Sequence, residues 1–189
     1  MRKHILVYFA MLTSLVQAQV TLSEKERWLQ TVRSYDEFPL YDDTSRMGNI
    51  HRLLNCSSDE EYFNYAHDSS VILRYIGFRA VLKQNSDRAF ELLNDYKFDT
   101  TEIIFRVPCT IYEDYEYNML LFSEYYAYIY YTYKEGESCC DLMGQFWSSG
   151  TKDIDKFKRK RKQLFDFLKK NSLTEAVDKM KAFDQMMKE

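Results

Sequence analysis

Apolar side chains recur at steps of three and four along most of this chain, the spacing of helices that each bury one face. Trp28, Leu29 and Val32 give residues 21–35 such a stripe, and Ser23 with Glu26 has capping-box spacing at its start. Pro39 and the acids around it break the pattern over 36–43. A second helix is predicted over 44–54 through Met47, Ile50, Leu53 and Leu54, and Ser58 with Glu61 opens a short third. In 68–96, Asp68 or Ser69 is expected to cap a helix carrying Val71, Ile72, Tyr75, Ile76, Ala80 and Leu82. Asn85-Ser86-Asp87 then interrupts it and caps the next, with Ala89, Phe90, Leu92, Leu93 and Tyr96. Helices joined by so few polar residues fold back as an antiparallel hairpin.

The stretch 100–111 departs from this pattern. Ile103, Ile104, Phe105 and Val107 favour extended backbone, and Pro108 cannot continue a helix. Residues 114–133 return to helical spacing through Met119, Phe122, Tyr126, Ile129 and Tyr133. A glycine-bearing loop over 134–150 leads to an amphipathic helix over 151–170, through Ile154, Phe157, Leu164, Phe165 and Leu168. Ser172 and Glu175 have the spacing of a third capping box, before Leu173, Ala176, Val177, Met180, Phe183 and Met187. Only five glycines and two prolines occur in 189 residues, too few for a turn-rich strand architecture. The expected fold class is all-α, an antiparallel bundle or short stack of six or seven helices.

Val71-Ile72-Leu73-Arg74-Tyr75 with Ala80-Val81-Leu82 resembles the second half of a HEAT-type repeat. Ser86-Asp87-Arg88-Ala89-Phe90-Glu91-Leu92-Leu93 resembles the opening of the next. The likeness covers about 30 residues and implies paired helices that stack and bind partners along one side. The hairpin is also similar to those of exported bacterial proteins of unknown function. Neither likeness implies a catalytic residue.

The N-terminus changes the setting. Arg2, Lys3 and His4 precede an apolar run over 5–16, and Val16-Gln17-Ala18 places small or modest residues before Gln19. That is the order of a secretory signal peptide over 1–18. The run is short of the ~20 residues that span a bilayer. The expected mature chain is a single helical domain over 19–189, exported to the periplasm or beyond, with no transmembrane segment. Such a compartment permits disulfides, for which Cys56, Cys109, Cys139 and Cys140 are candidates. Bridges from Cys56 or Cys109 to the adjacent pair are the expected arrangement, with free buried thiols as the alternative.

Charge is unevenly placed. Residues 19–150 hold 12 basic and 22 acidic side chains, whereas 151–170 hold nine basic and three acidic. The run Lys156-Phe157-Lys158-Arg159-Lys160-Arg161-Lys162 either docks on the acidic body or meets a partner. Lys158, Arg159 and Lys160 are its candidate contacts. Tyr125, Tyr128 and Tyr131, in a nearly continuous tyrosine run, are the other candidates, because exposed tyrosines bury much area at low entropic cost. A helix held between two layers would instead bury them.

No spacing suits a zinc site, a nucleophile elbow or a phosphate-cradling loop. His51 and His67 are the histidines beyond the signal segment, and a Cys56–His67 nucleophile pair is the weakest of the chemical options. The acid groups Asp42-Asp43, Asp59-Glu60-Glu61 and Glu113-Asp114-x-Glu116 fit helix starts and solvated loops. The function expected is a non-enzymatic, cofactor-free module that binds a protein, or else an anionic surface or glycan, and not nucleic acid. The alternative is an exported hydrolase with Glu113, Asp114 and Glu116 as acid and base. On the disulfide reading, reduction adds the mass of two or four hydrogens to the intact mature chain; an unchanged mass would show free thiols.

Overall fold

The computed structural model describes residues 24–39, 44–106, 112–136 and 151–187. Within them the chain is predominantly α-helical, as the periodicity predicts, with one two-stranded sheet. The elements are α1 over 24–33, α2 Thr44–Asn55, α3 Asp59–Tyr65, α4 Val71–Gln84 and α5 Ser86–Asp95. Then come β1 Glu102–Arg106, β2 Tyr112–Glu116, α6 Tyr117–Ile129, a π-helical turn Tyr130–Glu135, α7 Ile154–Lys170 and α8 Thr174–Met186. The signal segment 1–18, Ser23, Cys109, Cys139 and Cys140 lie outside the described residues.

Local chemistry explains most of the helix ends. Ser58 and Glu61 form the expected capping box. The Lys25 ammonium and the Ser58 backbone N–H hold the Glu61 carboxyl below its ordinary range, tying α1 to α3. Asn85 ends α4 in extended backbone, and its side-chain oxygen accepts from the N–H groups of Asp87 and Arg88 to start α5. One residue thus turns the hairpin. The cap of α4 falls on Ser70 rather than on Asp68 or Ser69. Asp68 instead accepts the Ser70 N–H and receives Arg33 of α1 at 2.6 Å.

Two expectations are corrected. Residues 114–116, expected to open a helix, belong to strand β2, and α6 begins only at Tyr117. β2 pairs antiparallel with β1 from Glu102↔Glu116 to Arg106↔Tyr112, and Phe38 bridges the other edge of β1. The helical period of this stretch in fact starts at Met119; Tyr-Glu-Asp-Tyr-Glu has no apolar stripe to hold a helix against the core. The second correction is at Ser172, which does not cap α8. It sits at φ 59° and ends α7, with Leu173 N–H donating to the Leu168 carbonyl and Ser172 N–H to that of Lys169. This is a Schellman ending with serine where glycine is usual.

α6 is the centre of the molecule. Its buried side chains point in every direction, from Tyr117, Leu120 and Leu121 to Tyr125, Tyr126 and Tyr128. Such a helix must be enclosed, and α4, α5, α7 and α8 all pack on it. α4 is enclosed in turn by α3, α5 and α6. Its contact with α3 is a backbone approach at Gly77, where a Cβ would lie 2.3 Å from the Ala66 nitrogen and 2.7 Å from the Tyr62 carbonyl oxygen. Backbone on both sides leaves nothing flexible to yield. Gly77→Ala is therefore expected to cost about 3 kcal/mol, at the upper end for overpacking, as read by denaturant unfolding; a change under about 1 kcal/mol would show that α3 can shift aside.

Candidate functional site

The tyrosine run does not form a surface. Tyr125 is 0% and Tyr128 6% exposed, and Tyr131 is half-buried. Both faces of α6 are covered, so the candidates Tyr125 and Tyr128 are core residues. The rings pack against other aromatics, edge-on for Tyr126 with Phe183 and Tyr130 with Phe157 and tilted for Tyr125 with Phe90. Some hydroxyls find partners: Tyr126 donates to Asp184, Tyr75 donates to Glu124 at 2.7 Å, and Tyr131 donates to Met187 Sδ, whereas those of Tyr117 and Tyr125 are buried without a hydrogen bond among the described residues. Glu124 also faces Arg79 at 3.7 Å, so one carboxylate inside the bundle meets a phenol and a guanidinium.

The π-helical turn gathers a second polar group. Gly136 ends it at φ 73°. Burial pushes the Tyr133 phenol up, but the Ser86 hydroxyl, the Lys156 ammonium and the Tyr128 hydroxyl outweigh it and hold Tyr133 below the ordinary tyrosine value. Lys156 Nζ lies 4.4 Å from the centre of that ring. The neighbouring Tyr128 and Tyr125 phenols are pushed the other way, chiefly by burial.

The basic run of α7 divides into two populations. Lys160 is 5% exposed and pairs with Asp87 of α5. It is a buried tether, not a contact residue. Arg161 donates to Asp184 Oδ2 at 2.6 Å and to the Tyr126 hydroxyl at 3.1 Å, joining α7, α8 and α6. Its guanidinium also lies 4.3 Å from the Phe165 ring centre. Lys158, Arg159 and Lys162 are exposed and meet no carboxylate among the described residues. Phe157, Leu164, Phe165 and Leu168 turn inward, so these three cations form a stripe along the outer side of a firmly held helix. Docking on the acidic body and free presentation thus both occur, on different residues of one run.

The remaining candidates are dispersed. Cys56 is an exposed thiol just past α2. His67 Nδ1 lies 2.9 Å from the Phe63 carbonyl oxygen, and Nε2 lies 3.6 Å from Asp95. Glu60 pairs with Arg88. Glu116 is exposed where β2 meets α6, while the side chains of Glu113 and Asp114 lie outside those described. Among the described residues no three His, Cys, Asp or Glu side chains are grouped to hold a metal ion, and no helix is long and apolar enough to cross a membrane. Comparison with protein-family models, with curated proteins and with solved structures finds no match to the chain.

The two populations of cations separate in stability. Lys158→Glu with Arg159→Glu is expected to stay within about 0.5 kcal/mol of the parent, as solvated surface changes do. Lys160→Glu puts a carboxylate at a position whose side chain is only 6% exposed, facing the solvent-exposed Asp87, and is expected to cost about 2 kcal/mol or more. Paired thermal melts check both, and equal losses would show that the outer stripe is also held against the body.

Proposed function

We propose that this chain is an exported, non-catalytic helical domain that docks a protein partner through the outer face of α7. The observation that carries this reading is the stripe Lys158, Arg159 and Lys162. Three cations stand exposed on a helix whose neighbouring Lys160 and Arg161 are consumed in holding it in place. A helix fixed by its inner cations presents its outer ones at low entropic cost, and a cationic face steers acidic partners toward it. Export rests on the N-terminal pattern, with cleavage before Gln19. In that setting Cys56, exposed past α2, is a natural end of a bridge to Cys139 or Cys140. The residues that carry the helical-repeat likeness fall in the paired helices α4 and α5, and α6 packs on both.

The test uses the chain from Gln19 onward as bait in the envelope and medium of producing cells. A variant with Lys158, Arg159 and Lys162 all changed to Glu serves as control. A protein captured by the parent, released by raised salt and lost from a reversed variant of equal melting temperature is the expected result. Capture that survives reversal places the contact elsewhere. Preferential retention on heparin or anionic vesicles, with no protein captured, replaces the protein partner with a glycan or lipid surface.

A further inference from the structure

We infer that the partner of the α7 stripe is a second copy of this chain, seated in a cleft with an acidic lip. The inference rests on the reading of α7 as a docking face. The cleft, of about 280 Å³, lies between the α5–β1 connection, the β2–α6 junction and the α7–α8 turn. Phe98, Met119, Leu173 and Ala176 supply its apolar lining. Phe98 is 64% exposed, a large ring held out in water beside a concavity. An apolar side chain entering there would cover it.

Charge says which side chain. Among the described residues no lysine or arginine lines the cleft. Glu116 stands at its edge, and the strand register sets Glu102 directly opposite on the same face of the hairpin. Both carboxylates are exposed and neither has an ion-pair partner among the described residues. Like charges facing across a strand pair are destabilising, and an incoming cation relieves them. Lys97, the nearest cation in sequence to Phe98, lies 5.6 Å from the centre of that ring and is held by the carbonyl and side-chain oxygens of Asn94, paired with neither carboxylate. The cleft therefore fits an apolar side chain followed by one or two cations.

α7 carries that arrangement. Ile154, Lys158 and Lys162 are four residues apart, so they lie in one ridge, and all three are exposed. The ridge cannot reach the cleft of its own molecule. Asp153 N–H donates to the Tyr133 carbonyl at 2.7 Å, pinning the start of α7, whereas the cleft lies past its other end at Ser172. A helix of that length holds the two about 25 Å apart. The contact is therefore between copies, ridge on cleft: engaged in one direction it leaves one ridge and one cleft free and association propagates, and engaged reciprocally it closes a dimer.

The experiment is sedimentation of the chain from Gln19 onward over a concentration series, at low and high salt. Two neutral variants accompany it, Lys158→Ala with Lys162→Ala (ridge-blank) and Glu102→Gln with Glu116→Gln (lip-blank). All changed residues are exposed, and unchanged helical dichroism confirms folding. The parent is expected to associate at low salt, as a dimer or larger, and to fall apart at high salt. Each blank alone is expected to weaken association about tenfold or more, as losing close charge pairs does. Mixed one to one, the blanks are expected to stop at a heterodimer, because one intact ridge and one intact lip remain between them. A parent that stays monomeric, blanks that associate like the parent, or a mixture with no heterodimer overturns the second copy as partner. The capture of a different protein by the α7 stripe is read separately, so the docking face can survive that outcome.

Discussion

A helix without a polar face has to be covered on every side, and α6 is such a helix. Tyr117, Leu121, Tyr125, Tyr126 and Ile129 are all fully or almost fully buried, yet they project around the whole circumference. Two layers are needed to hide them, α4 and α5 in one and α7 and α8 in the other. That requirement fixes much else. It puts phenol hydroxyls under cover, where each needs an internal partner. The Asp184–Arg161 pair and the Glu124–Arg79 pair supply such partners for Tyr126 and Tyr75. These two ion pairs thus sit beside tyrosines of the core, with Glu124 and Asp184 accepting from phenol hydroxyls.

The same requirement divides the basic run. Helix α7 must lie flat on α6, and its positions at 157, 160, 164, 165 and 168 all turn inward. Four of them are apolar. The fifth is Lys160, which snorkels to Asp87 at the start of α5. A lysine there ties the outer helix to the central hairpin at one point without placing a bare charge in the core. What remains outside is a row of cations whose positions follow from the packing beneath them.

Much of this was legible in local sequence. The apolar period placed the helices, and Ser58 and Asn85 announced their caps, because capping is chemistry between near neighbours. The sheet was half legible. Ile103, Ile104 and Phe105 signalled extended chain, but Tyr112–Glu116 has no apolar alternation of its own and becomes a strand only because β1 lies beside it. The tyrosines misled for a related reason. A projection of α6 shows aromatic residues on all faces and cannot say whether a second layer exists to cover them. Lys160 shares its face with Phe157, Leu164 and Leu168, which the spacing does show; its partner Asp87, 73 residues earlier, it does not. Ser172 and Glu175 have the right separation for a capping box, but the left-handed ending of α7 claims Ser172 first.

The covering of α6 also has an order in time. Tyr126 is joined to Asp184, 58 residues further along the chain. During synthesis, the most apolar helix emerges well before the helices that close over its second side. Until α8 arrives, Tyr126 and Tyr130 have no Phe183 to pack against, and half of the core is a surface. Partly made chains with such surfaces adhere to one another. The final dozen residues therefore act as the closure of the molecule, and a chain that ends before them carries its own tendency to aggregate.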